Sequence, residues 1–192
     1  MPERQGTIVF IDENMEDKKI GVLSVTWPPA PQQIIARIRE RFRHYDEMKW
    51  STISRVKVEF LTAIIEAFFS NNTFGRINVW PIATTVEKAI FAALHSLQPH
   101  CAPYHGIFMD DHTAPKGYDF ERRLKNSFKC PCVLRLDSKA AAMLQLCDLM
   151  MNLTIRAASS DMPASPHKAA LLEIFKKTRD SAPFQRCFMQ TP

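Results

Sequence analysis

The chain has 192 residues, 46% apolar and 10% aromatic, enough for a full hydrophobic core and too apolar for a disordered chain. No run approaches the roughly 20 apolar residues of a membrane span, and the start MPERQGTIVFIDE has no signal-peptide pattern, so a soluble, cytoplasmic chain is expected. A net charge of +5 excludes an acidic protein and leaves room for an anionic partner such as nucleic acid.

Apolar runs bounded by breakers predict strands at 6–12, 20–27, 76–83, 105–110 and 132–137. Several are continuously apolar, as strands covered on both faces should be. Between them the spacing turns helical. After the break at Pro28 to Pro31, Ile34, Ile35, Ile38 and Phe42 form one stripe; Ile53, Val56, Phe60, Ile64 and Phe68 form the next. A third helix opens on the capping box Thr84-x-x-Glu87 and carries Val86, Ile90, Leu94 and Leu97. Phe120, Leu124 and Phe128 mark a short fourth helix, and 138–158 is apolar almost all round. The last begins at Ser165-Pro166, a hydroxyl cap followed by proline at the first helical position. Alternating strands and helices predict an α/β fold: one domain over 1–192, with a mixed sheet of about five strands flanked by helices. Its core should span 7–158, with 159–192 a C-terminal helical extension.

Five cysteines (Cys101, Cys130, Cys132, Cys147 and Cys187) form no CxxC pair, and Cys130-Pro-Cys132 is too closely spaced for a structural zinc site. Buried free thiols are expected. The positive charge is concentrated. Arg37, Arg39, Arg41 and Arg43 fall in one segment, and Arg122, Arg123, Lys125 and Lys129 in another. Such clusters suit a phosphate backbone or two solvated helix faces.

Three acids stand where the apolar pattern would not choose them. Asp12 ends Ile8-Val9-Phe10-Ile11 and Asp110 ends Ile107-Phe108-Met109, with Glu13 and Asp111 next to them. An aspartate just past a strand often serves the loop backbone, so neither is informative alone. Asp148 lies in a helical segment with almost no polar face, Leu144-Gln145-Leu146-Cys147-Asp148-Leu149. A buried carboxylate needs hydrogen bonds, a cation, a metal or a proton. Arg135 and Lys49 are candidate cationic partners. Neighbouring strand ends converge at one edge of an α/β sheet. A helix packed over that edge would gather the three carboxylates into a site for hard cations, Mg²⁺ or Mn²⁺.

The order Asp12-Glu13, Glu47-Met48-Lys49-Trp50-Ser51, Asp110, Asp137-Ser138 and Leu144-Gln145-Leu146-Cys147-Asp148 resembles a large, mainly bacterial and phage family of unknown function. Its usual form reads D-E-S-G, then E-x-K-W-S, then S…L-Q-L-A-D, and its fold is RNase H-like. The resemblance spans roughly residues 7 to 156. It implies that Asp12, Glu47, Asp110 and Asp148 hold two metal ions, with Lys49 near a scissile phosphate. Asn14-Met15 stands in place of Ser-Gly, so the turn after the first strand must be built differently, and Cys147 replaces Ala.

The expected function is a divalent-metal-dependent nuclease on RNA or DNA phosphodiesters, two ions clamping the attacking and leaving oxygens. Glu13, Asp111, His105 and His112 are further candidates for ligand or proton-transfer roles. Arg37, Arg39, Arg41, Arg43, Arg122, Arg123 and Lys125 are the expected nucleic-acid contacts. Two alternatives stand beside this: a non-catalytic nucleic-acid-binding module, and a phosphoesterase on small nucleotides.

Overall fold

A computed structural model describes residues 6–26, 30–71, 74–100, 103–113, 115, 118–183 and 185–190. Trp27, Pro28, Pro29 and Cys101 lie outside them. Six strands form one mixed sheet: β1 (Thr7–Asn14), β2 (Lys19–Thr26), β3 (Phe74–Pro81), β4 (Tyr104–Asp110), β5 (Val133–Leu136) and β6 (Cys187–Met189), in the order β5-β4-β1-β2-β3-β6. β2 pairs antiparallel with β1 and β3; the β1–β4, β4–β5 and β3–β6 pairs are parallel. The helices are α1 (Ala30–Phe42), α2 (Val58–Ser70), α3 (Val86–Leu97), α4 (Tyr118–Phe128), α5 (Ala142–Ala158) and α6 (Pro166–Ser181).

Strand alternation sorts the core into two clusters, one per sheet face. Ile8 and Phe10 of β1 join Leu23, Val25 and the buried faces of α2, α5 and α6, while Val9 and Ile11 join Ile20, Val22, α3 and α4. Residues with period 2 must divide in this way once both faces are covered. The expected α/β architecture with a mixed sheet is what the chain forms. The strand beyond the expected five is β6, and α6 buries Leu171, Leu172 and Phe175 in the first cluster. Residues 159–192 thus add a strand and core contacts as well as a helix.

Three local readings are corrected. Val56 is 83% exposed and takes no part in the second helical stripe. Short 3₁₀ turns occupy Trp50–Thr52 and Arg55–Lys57, and the α-helix starts only at Val58. The cap of α3 is Thr85, whose hydroxyl accepts from Lys88 N–H at 3.2 Å, one residue later than the Thr84 capping box. That shift leaves Glu87 free to pair with Arg123. Ser165 occupies the N-cap of α6 with Pro166 behind it, yet its hydroxyl makes no capping bond.

Candidate metal centre

β1 and β4 are paired up to Ile11↔Met109, and the next residue on each strand is an acid, Asp12 or Asp110. Parity decides their face. Phe10 and Phe108 pack on the first cluster and stack at 5.4 Å, so Asp12 and Asp110, two residues on, lie on the α5 side of the sheet. The sheet order reverses here: β1 is followed along the chain by β2 on one side and reaches β4 on the other only after a long excursion. Crevices at the carboxyl ends of strands at such a point are the usual ligand sites of α/β sheets.

α5 brings the third carboxylate. The helix approaches the sheet over Gly21, the β2 partner of Asp12. A Cβ at Gly21 would lie 2.9 Å from Met151 Cβ, so only glycine permits so close an approach. The Cys147 thiol donates to the Phe10 and Gly21 carbonyls at 3.3 and 3.4 Å, which an alanine could not do. Asp148, the next residue, then faces a cleft of about 300 Å³ lined also by Asp12, Glu13, Asn14, Glu16, Lys49, Trp50, Ser51, Asp110 and Asn152.

Each of the three carboxylates has at least one oxygen held by a donor. Asp12 Oδ1 accepts from Glu13 N–H at 2.8 Å, Asp110 Oδ1 from His112 N–H at 2.9 Å, and Asp148 Oδ1 from the Asn152 carboxamide at 2.9 Å. The second Asp148 oxygen takes only a long bond from Trp50 N–H at 3.4 Å. Burial and the neighbouring Asp148 push Asp12 up to about 7. Burial likewise pushes Asp148 up to about 6, opposed by the Trp50 amide and the field of Lys49. Burial would raise Asp110 too, but bonds from the His112 N–H and the Ser138 hydroxyl outweigh it and hold the group below the ordinary carboxylate range. One of the three is therefore firmly ionised, while the other two resist a full negative charge until a cation shares it.

The cationic partners proposed for Asp148 are accounted for. Arg135 is engaged elsewhere, paired with Glu121 at 2.8 Å and donating to the Thr113 carbonyl at 2.6 Å. Lys49 lines the cleft, but its ammonium sits 3.6 Å from Glu47 Oε1. Glu47 itself is outside the cleft lining and reaches it only through that pair. Asp111 and His112 follow Asp110, and one ligand atom from each of the three lies within 4.8 Å of the others, the one such triad among the described residues. His105 is at the opposite end of β4, roughly 16 Å away by strand rise, with its ring against the Pro103 carbonyl; it is not part of this site.

The basic segments divide. Arg37, Arg41 and Arg43 are exposed on or just past α1. Arg39 turns inward, donating to Gln145 Oε1 at 2.7 Å and to the Tyr45 carbonyl at 3.2 Å. On α4, Arg122 pairs with Asp119 at 2.8 Å, Arg123 pairs with Glu87, and Lys125 is exposed.

Three contributors escaped the sequence reading. Gln145, 2% exposed, donates to the Ser138 and Lys139 carbonyls at 2.8 Å each and accepts from Met48 N–H at 3.0 Å as well as from Arg39. It ties α1, the segment carrying Glu47 and Lys49, and the turn carrying Ser138 to one point of α5. Asn152 holds Asp148, and Asn14 donates to Asn152 Oδ1 at 3.0 Å. Asn14 also builds the altered turn: its Oδ1 accepts Asp17 N–H at 2.9 Å, and Lys18 closes the hairpin at φ 50. The i, i+4 spacing of Asp148 and Asn152 was visible as a signal, whereas the Asn14 contact joins residues 138 apart.

The donor set fits a hard divalent cation. Asp12, Asp110 and Asp148 offer only oxygen, they line the same cleft, and two of them are short of compensating charge. Among the described residues, no helix is long and apolar enough to cross a membrane.

No protein-family model matches the sequence, and no curated protein does. Among solved structures, the chain is similar to one in the structure of the PCNA:RNase HII complex from Archaeoglobus fulgidus. The likeness has a TM-score of 0.45 and 12% identity over 90% of this chain and 89% of that one. A likeness of that depth carries neither residue roles nor activity across. The chain is an α/β protein with a mixed six-stranded sheet and a carboxylate cleft at the carboxyl ends of its central strands.

Proposed function

We propose that this protein is an RNase H-like nuclease that hydrolyses RNA or DNA phosphodiesters with Mg²⁺ or Mn²⁺, two ions being held in the cleft. One observation carries the reading: Asp12, Asp110 and Asp148, distant in sequence, line one cleft, each with at least one oxygen fixed by a donor. A binding module gains nothing by concentrating negative charge where phosphates must come. Bound there, divalent ions would polarise a phosphodiester and lower the pKa of a water.

In this reading the chain's own residues have distinct tasks. Asp12, Asp110 and Asp148 would hold the ions, which would supply Lewis-acid activation of the phosphodiester and of a water. Glu47 is an outer member, entering only if it leaves its ion pair with Lys49. Lys49 lies at the cleft wall, where its ammonium meets charge developing on a phosphate. Exposed Arg37, Arg41 and Arg43 supply sequence-independent phosphate contacts.

The test is cleavage of labelled single-stranded and duplex RNA and DNA with Mn²⁺ or Mg²⁺. Cleavage that EDTA silences, and that Asp12→Asn and Asp148→Asn abolish, is the expected result. Activity persisting in EDTA, or no activity on any of these substrates with both metals, overturns the reading.

A further inference from the structure

Trp50 is a wall of two cavities. One is the carboxylate cleft; the other, about 440 Å³, lies between Trp50, α5 and the segment leading into α6. The second wall is shared as well. Asn152 of α5 lines the cleft, and Arg156, four residues on and on the same helix face, lines the second cavity. Four residues of helix advance about 6 Å, close to one nucleotide step along an extended strand. The two cavities thus adjoin at Trp50 and follow one another along α5.

Their chemistry differs. In the second cavity, Lys168 and Arg156 face Met162, Pro163 and the Trp50 ring, with Asp161 the one acid. Arg156 Nη2 is paired with Asp17 at 2.7 Å. The Lys168 ammonium stands 5.3 Å from the centre of the Trp50 ring, and among the described residues no carboxylate comes within ion-pair distance of it. Met162 is 53% exposed, a large apolar side chain at the mouth of a cavity that also holds cations. An apolar wall for a base beside a cation for its phosphate is the pairing that single-stranded nucleic acid uses.

We infer that this cavity is a nucleotide subsite, taking the unit next to the scissile phosphate, its base against Met162 and Pro163 and its phosphate on Lys168. The inference rests on the nuclease reading for its placement, but its binding chemistry does not need metal-dependent turnover. Lys168 binds as a point charge, so arginine at this position keeps the contact and glutamine does not.

The experiment is binding of a fluorescein-labelled eight-nucleotide single strand, in RNA and DNA forms, to the parent, Lys168→Gln, Lys168→Arg and Met162→Ala proteins across a salt series. Calcium replaces Mn²⁺ to prevent turnover, and melting temperatures serve as the folding check. Losing one single-strand phosphate contact lowers the log–log salt slope by about 0.7; Lys168→Gln should show that fall with a several-fold weaker Kd. Lys168→Arg should restore both, and Met162→Ala should weaken binding without changing the slope. Parent-like slope and Kd in folded Lys168→Gln and Met162→Ala overturn the subsite and leave the nuclease reading untouched. Binding that depends on Lys168 in a protein that cleaves nothing with Mn²⁺ upholds the subsite and removes the nuclease.

Discussion

The acidic cleft and the basic segments treat charge in opposite ways. On α4, Arg122 and Arg123 each have an acidic partner, and Arg39 of α1 is bound to a buried carboxamide. The cleft gathers three aspartates against one lysine that is itself shared with Glu47. Paired surface charges contribute little and can be exchanged, whereas clustered carboxylates oppose folding unless something compensates them. The cleft therefore holds charge that the chain itself does not neutralise, while three of the seven basic side chains that looked like a ligand surface (Arg39, Arg122 and Arg123) already have partners inside the chain.

Breaking the cleft should have the largest effect. A metal at one hundred times its Kd stabilises the native state by about 2.7 kcal/mol; Asp148→Asn should lose most of that gain. The same variant without metal should melt at or above the parent temperature, because a carboxylate pushed up to about 6 by burial has been removed. Thermal melts with and without Mn²⁺ decide it, and a strongly destabilised metal-free variant with a metal-insensitive parent would sink the metal centre.

Loosening the support should cost less. Asn152 holds one oxygen of Asp148 and receives Asn14. Removing a residue that orients a metal ligand typically weakens affinity by about 10–100-fold, so Asn152→Ala should raise the Mn²⁺ Kd in calorimetry by that order. Equal affinity in parent and variant removes Asn152 from the site.

On the basic side, Arg39→Ala strips a charged donor from buried Gln145 and should destabilise the fold by about 1.5–3 kcal/mol. Arg122→Ala breaks a pair on an exposed face and should cost at most about 1 kcal/mol. Urea melts showing the reverse order would undo the contrast between structural and solvated arginines. Replacing Arg37 and Arg41 together with Gln should leave stability alone and lower the salt slope of nucleic-acid binding by about 1.4–1.8, two contacts' worth.

The comparison also has a pH signature. Asp12 and Asp148 have folded values raised to about 7 and about 6 from 3.8. A raised carboxylate contributes stability that is fully present below its unfolded pKa and is lost as pH climbs through the folded one. The metal-free protein should therefore lose stability between about pH 4 and pH 7 through these two groups, while Mn²⁺ stabilisation grows over the upper part of that window as the ligands shed their protons. Asp12→Asn should flatten the metal-free profile; an unchanged profile places the titration elsewhere.

Most elements were legible because local rules govern them. Five strands and six helices follow from apolar runs, period 3.6 and breakers, and Asp148 stood out as one acid in an otherwise buried helix. The sequence alone determined that Asp110 ends a strand and that α5 is apolar enough to be buried on nearly every side; it stopped the first strand at Asp12, whereas β1 pairs on to Asn14. It could not determine β6, three residues held by pairing with β3 and by Arg186 reaching the Phe68, Asn71 and Phe74 carbonyls. Nor could it say which arginines are solvated: Arg39 differs from Arg37 and Arg41 only in where α1 meets Gln145. Tertiary structure alone decided that Gly21 lets α5 close on the sheet, that strand parity turns Asp12 and Asp110 toward it, and that Asn14 reaches Asn152. Those outcomes depend on register and on packing between segments far apart in the chain, and local propensity carries no information about either.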